Sequence, residues 1–395
     1  YASDPHTAEM GTLHEWAATY PLFHWGPIPW GFYLVLSAAF GFMLHVRKRT
    51  RQKYSEACRP VLGNKVDGIA GKLIDLIAVF ALLAGTATTF SLATPLLAGA
   101  ISSVTGIPQS TGLTLVILVI VCAIYTFSVY FGMKGVQLSA ATCTWLFFGL
   151  LAYVFFFGGQ TRFIIEEGIT ALGNMTQNFI GLATWTDSLR TSSFPQTWTI
   201  FYWAYWMVWC VAVPFFIGSI SKGRTLRQVI LGGYVFGLSG TFTSFIIMGN
   251  YGLGLQMHGK LDVLSTYAAD GNLYHAILDI LGQLPLSKAV LVLLVLSMIT
   301  FYSTSFDSIT MVASTYTYKE LKSDEEPHRN VKLFWAIFLI LLPLALIFSE
   351  NSMSNLQTVS IIAAFPVGII MLLIITSFFK DADAYLQEQA HNSKS

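Results

Sequence analysis

Long apolar runs alternate with short polar segments along the whole chain. The runs cover about 22–46, 73–98, 112–132, 143–159, the stretch from Gln196 through Pro214 towards Lys222, then Arg227 to about Leu255, 286–316, 333–349 and 355–379. About 20 apolar residues in a helix span a bilayer, so the pattern predicts nine spanning helices. The polar remainder is expected as an external loop at 1–20, an amphipathic segment lying along the outer face at 160–194, an external loop at 258–285 and a cytoplasmic tail at 380–395. Lys and Arg crowd after the first run (Arg47, Lys48, Arg49, Arg51, Lys53), at Lys134, at Lys222 to Arg227, at Lys319 to Arg329 and at Lys380. By the positive-inside rule the chain starts outside and ends inside.

Composition sharpens this picture. With 54% hydrophobic and 11% charged residues and a mean hydropathy of +0.61, the chain is a polytopic membrane protein rather than a string of soluble domains. A net charge of +1, confined to short connecting segments, gives no reason to expect a nucleic-acid partner. Cys58, Cys122, Cys143 and Cys210 are scattered and read as packing thiols. No nucleophile elbow, Walker sequence or His cluster is present, so neither enzyme chemistry nor an organic cofactor is expected. Small residues at Ala84–Thr89 and at Gly232, Gly233, Gly237 and Gly240 allow close helix contact. The chain opens Tyr-Ala-Ser-Asp without an initiating Met, as a piece of a longer protein would.

The most informative stretch lies between Gln196 and Gln228. Trp198, Phe201, Tyr202, Trp203, Tyr205, Trp206 and Trp209 fall within twelve residues, and at about 100° per residue all but Trp203 share one side of a helix. Such a wall of ring faces attracts cations, above all quaternary ammonium groups that hydrogen bonds cannot hold. Interfacial belts and core packing use the same residue types, although a belt gathers them near one end of a span. Trp25, Trp30 and Tyr33 in the first run can also share one helix side. Asp307 falls near the middle of the seventh run, where a carboxylate is costly. It is either functional or a stiffener of an unwound stretch, bonded to Ser303, Ser305 or Ser308.

The run Phe201-Tyr-Trp-Ala-Tyr-Trp206, followed by Ser219-Ile-Ser-Lys-Gly-Arg-Thr225, resembles the signature of the betaine/carnitine/choline transporter family, and His24-Trp-Gly-Pro-Ile-Pro-Trp30 and Thr304-Ser-Phe-Asp-Ser308 match in register. The resemblance implies an all-α, five-plus-five inverted-repeat fold over a single domain, 1–395, with the first three spans of the family missing. It also implies a small zwitterionic or cationic solute, a homotrimer in membrane lipid and, in many members, sodium. It carries an aromatic box onto Trp25, Trp30, Tyr33 and Trp206, an access path onto Trp209, and sodium coordination onto Thr304 and Ser305. Tyr202 and Tyr205 join the candidate substrate residues. Tyr205 stands where members usually have Trp, so its hydroxyl needs a partner. Thr86 matches a hydroxyl of a second ion site, but Leu82 a turn earlier does not.

Two further positions discriminate within the family. Exchangers of carnitine-like compounds carry an Arg at the position of Cys143 as a permanent substitute for sodium, and a Met at that of Val213. Both departures favour sodium-coupled symport of a betaine-like solute. The alternatives are sodium-independent exchange and, from another class, a membrane receptor or structural subunit that binds solute without moving it.

Overall fold

In lipid a backbone can satisfy its polar groups only in helices or a closed barrel, and apolar runs of about 20 residues suit helices. The computed structural model describes residues 12–322, 325–347 and 353–393, and among them it is all-helical with no strand. In chain order the main helices are α1 (Leu13–His24), α2 (Pro27–Gly41, continued by a π turn, Phe42–Val46), α3 (Ile69–Thr105), α4 (Thr111–Tyr130), α5 (Met133–Phe157) and α6 (Thr161–Gln177). A π turn at Pro195–Thr199 leads into α7 (Ile200–Trp209), followed by α8 (Val213–Ile220), α9 (Leu226–Met257), α10 (Leu273–Gly282), α11 (Ser287–Thr315), α12 (Arg329–Ile347) and α13 (Met353–Asn392). Among the described residues, seven helical runs are long and apolar enough to cross a membrane, or eight when α7 and α8 count as one span bent by 45°. Nine were expected from hydropathy. The eighth expected run corresponds to α12, and its last two residues, 348–349, lie outside the described residues.

Several elements differ from the hydropathy reading. Within the segment 1–20, residues from Leu13 on are helical, and Trp16, Tyr20 and Phe23, spaced to share one face, are buried. The run 22–46 is two helices. Pro27 has no N–H to continue the ladder, and a Cβ at Gly26 would lie 2.2 Å from the Leu22 carbonyl oxygen. The aromatic stretch likewise breaks at 210–212, because Pro214 has no N–H to donate to the Cys210 carbonyl four residues earlier, and it restarts with Pro214 in the first turn of α8. The fourth run starts at Met133, straight after a turn at Gly132 with φ 68°, rather than at 143. The region 258–285 holds α10 and a short helix, Val263–Asp270. The polar tail from Lys380 continues α13 as far as Asn392.

The largest core cluster joins α2, α3, α4, α7, α8 and α11 to α13. Close approach needs glycine at defined points. A Cβ at Gly218 would lie 2.8 Å from the Gly41 nitrogen and 3.0 Å from the Ser37 carbonyl oxygen, so α8 and α2 touch backbone to backbone. Gly233 and Gly237 of α9 accept the side chains of Leu34 and Trp30, whereas Gly232 and Gly240 meet nothing within 4 Å.

At the end of the bundle where basic residues gather, charges alternate in a chain. Arg47 bonds Glu388 at 2.7 Å and Asp381 at 2.9 Å, and Arg49 bonds Asp381 at 2.7 Å and approaches Glu56 at 3.7 Å. Arg59 bonds Glu56 at 2.7 Å and Asp67 at 2.8 Å, and Arg51 bonds Asp67 at 2.5 Å. This chain ties the segment after α2 to α13.

Candidate binding site

The two proline-associated breaks converge on one cavity. The break at Gly26 leaves Trp25 at the C-terminal cap of α1, so it shares no helix with Trp30 and Tyr33 of α2. The break at 210–212 frees the end of α7 and the start of α8. Between them and the middle of α11 lies a cavity of about 350 Å3, lined by Trp25, Tyr33, Tyr205, Trp206, Trp209, Val213, Phe216, Thr304, Ser305 and Ser308, together with Thr89 of α3, Ala212 and Ile309. No Asp, Glu, Lys, Arg or His lines it.

Trp206 is the hub of the rings. Its centroid lies 4.6 Å from Tyr33, 5.4 Å from Trp25 and 5.7 Å from Trp30, at interplanar angles between 49° and 74°. Trp30 does not reach the cavity. It backs Trp206 and Tyr33, and its indole N–H donates to the Thr241 hydroxyl of α9 at 3.1 Å. Tyr202 also stands outside, stacked on Trp198 and 6.0 Å from Trp25. Trp203, the ring off the shared face, packs on Phe23 at 5.6 Å. The Tyr205 hydroxyl meets the Thr89 hydroxyl at 2.7 Å, a partner that hydropathy had assigned only to packing. His24 is fully buried against Tyr202 and Phe194 and shares a hydrogen bond with Thr199 at 2.9 Å, so it is a packed core histidine.

The polar wall belongs to α11. Thr304 and Ser305 face the cavity on an unbroken helix, and the Thr304 hydroxyl lies 3.3 Å from Ser139 of α5. Cys143, one turn further along α5, is buried beside the Thr300 and Thr304 hydroxyls and does not line the cavity. Asp307 is also buried and outside it. Because α11 is continuous, Asp307 does not stiffen an unwound stretch. It accepts a hydrogen bond from Ser128 of α4 at 2.7 Å and one from Ser303 at 3.5 Å, and its second oxygen has no partner. Ser308 donates to the Thr304 carbonyl at 3.1 Å and not to Asp307. The Thr86 hydroxyl is satisfied by the Leu82 carbonyl at 2.6 Å. All four cysteines are free, and among the described residues no group of three or more His, Cys, Asp or Glu is placed so that it could hold a metal ion.

The segment 160–194, expected as one amphipathic stretch, is helical at Thr161–Gln177 and Phe179–Thr184 and ends in a loop that leads into α7. Asp187 accepts backbone N–H groups from Thr191, Ser192 and Ser193 at 2.8 to 3.0 Å, and the loop carries left-handed backbone at Asp187, Arg190 and Ser193, φ 44°, 56° and 54°. Burial opposes ionisation of Asp187, but these hydrogen bonds outweigh it and hold its carboxyl well below the usual range.

The model of the BCCT family, betaine/carnitine/choline family transporters, matches residues 1–387. A protein of Acinetobacter baumannii described as "Carnitine transporter" is 29% identical over 367 residues, covering 92% of this chain. The chain spans 66% of that relative's length, just under two thirds. It is also 27% identical over 367 residues to the "Uncharacterized transporter YeaV" of Escherichia coli (strain K12), covering 93% of this chain and 76% of that protein. The chain therefore belongs to the betaine/carnitine/choline transporter family.

Proposed function

We propose that the complete protein is a secondary transporter that moves a betaine-like quaternary ammonium or related zwitterion together with sodium, by alternating access through a five-plus-five inverted-repeat core. One observation carries this reading: aromatic residues of two broken helices and hydroxyl-bearing residues of a third line a single uncharged cavity. The ammonium end has the faces of Trp25, Tyr33 and Trp206 to bind, and ring quadrupoles suit a cation that cannot donate a hydrogen bond. A polar end, or the sodium ion itself, has Thr304, Ser305 and Ser308. Discontinuous helices meeting at the site are the usual device for exposing backbone groups inside a membrane without facing lipid.

The rings must part for this to work. A cation gains from a ring within about 6 Å of its centroid, so sandwiching one between two faces needs centroids well over 6 Å apart. Tyr33 and Trp206 are 4.6 Å apart and lean on each other. Substrate binding thus opens the Trp206 hub, and the movement of α7 against α2 is the local event that alternating access requires.

Sodium coupling is supported by the neutral Cys143 beside Thr304, since a thiol cannot replace a cation. The name of the Acinetobacter relative keeps carnitine among the candidate solutes. Labelled betaine and carnitine would be offered to vesicles holding the complete protein, with and without a sodium gradient. Uptake that depends on the gradient supports symport. Equal uptake in sodium and in potassium establishes exchange instead, and binding without uptake establishes a receptor.

A further inference from the structure

A second cavity, of about 740 Å3, opens at the basic end of the bundle. The segment after α2, the start of α3 and the segment after α11 wall it. Its arginines are all engaged in the alternating chain described above, where four guanidinium groups meet four carboxylates and the charges cancel. The ammonium groups of the wall are not cancelled. Lys48, Lys53, Lys72 and Lys319 line the cavity, and none forms an ion pair among the described residues. Asp75 and Glu320 are the two wall carboxylates left over, and Asp75 already accepts the Ser55 backbone N–H at 2.9 Å. Four ammonium groups against two carboxylates leave this hollow with a charge of +2.

Like charges held around a hollow repel one another, and the repulsion falls when an anion enters. Lys suits this purpose as a point charge on a flexible stem, and charge-assisted hydrogen bonds to phosphate oxygens are about twice as strong as neutral ones. A cation is disfavoured by the sign, and an apolar guest by the polar wall. We propose that this cavity binds a phosphate group, carried either by an anionic phospholipid headgroup or by a soluble phosphate. The site is separate from the aromatic cavity and shares no residue with it.

Two probes distinguish the sources, both applied to the full-length protein. Inorganic pyrophosphate is titrated by calorimetry in neutral detergent, and thermal stability is read in nanodiscs of phosphatidylcholine with and without phosphatidylglycerol. Binding of pyrophosphate points to a soluble phosphate, and stabilisation by phosphatidylglycerol alone points to the headgroup. In the triple variant Lys53→Gln/Lys72→Gln/Lys319→Gln the effect of the active probe falls about ten-fold or more. Lys72→Gln/Lys319→Gln, which alters only exposed side chains, moves it the same way if the triple variant does not fold. Lys260→Gln, near the opposite end of α9, leaves it unchanged. The proposal is overturned if neither probe acts on the wild type, if the lysine variants respond within about three-fold of it, or if Lys260→Gln loses as much as they do.

Discussion

Trp206 is the residue on which the proposed site turns, because three rings lean on it and its face borders the cavity. Trp206→Leu keeps an apolar side chain but removes the quadrupole, and betaine affinity should fall by about 1–2 kcal/mol, roughly ten-fold. Trp206→Tyr, which keeps a ring face, should recover part of it. Calorimetry on both variants, with thermal stability measured alongside, separates the cation term from lost packing; equal losses in both would mean that packing alone matters. Asp187 supplies a pH test. Its carboxyl is depressed in the folded protein, so its contribution is fully present above the ordinary value near 4 and is lost as pH falls below it. Protection of the Thr191, Ser192 and Ser193 amides, taken as exchange relative to the intrinsic rate at each pH, should therefore hold from neutral pH down to about 4 and fall only as the pH drops further, and should be low at every pH in Asp187→Ala. Much of the candidate cavity was legible at this scale, since Trp25, Tyr33, Tyr205, Trp206, Thr304 and Ser305, singled out by ring spacing or by the family resemblance, do line one cavity. Trp30 and Tyr202 were singled out on the same grounds and stand behind it, because ring type and helical phase do not tell the layer that faces a cavity from the layer that supports it. Thr89 was missed, since a hydroxyl among small residues looks the same whether it packs or bonds to Tyr205 across the site.

At the scale of elements, hydropathy found the long apolar helices but neither their breaks nor the helices inside the expected loops, α1 from Leu13 and α10. Pro27 and Pro214 were visible and do sit at breaks, yet Pro21, Pro95 and Pro366 lie inside continuous helices. What distinguishes the first break is Gly26, where a side chain would strike the Leu22 carbonyl, and that contact exists only once the helices are placed. Boundaries drifted for a related reason. The start of α5, with Lys134 and Gln137 on an exposed face, is too polar to be picked out by mean hydropathy although its backbone is helical. The contact between α8 and α2 gives a test. Gly218→Ala puts a methyl group against the backbone of Gly41 and Ser37, which cannot yield as a flexible side chain would. Overpacking of this kind costs about 1–3 kcal/mol, so the melting temperature in detergent should drop by several degrees. Gly232→Ala, with nothing within 4 Å, should leave it unchanged. If both variants melt alike, the close approach of the two helices contributes nothing.

For the whole molecule, two broken helices and one continuous helix enclose a single uncharged space, and the ion proposed to fill part of it can be tested through a residue outside the cavity. Cys143 on α5 borders Thr304 on α11, a residue that lines the cavity and whose hydroxyl also lies 3.3 Å from Ser139 of α5. If a sodium ion sits at Thr304 and Ser305, removing both hydroxyls should abolish sodium dependence along with tight binding, because an ion stripped of two oxygen ligands is left poorly solvated in an apolar setting. In Thr304→Ala/Ser305→Ala, betaine uptake should fall about ten-fold or more, the loss of one or two charge-assisted contacts. Cys143→Arg tests the same point in the opposite direction. A guanidinium group in this position supplies a fixed positive charge next to Thr304, so substrate should bind without sodium, and added sodium should not improve the affinity. Burying an extra charge is costly by itself, and Cys143→Lys controls for it by supplying charge without the planar fork. Sodium-dependent binding that survives in the double alanine variant would remove Thr304 and Ser305 from the ion site. Binding in Cys143→Arg that still needs sodium would mean that α5 does not reach the ion, and the neutral residue at position 143 would then carry no information about coupling.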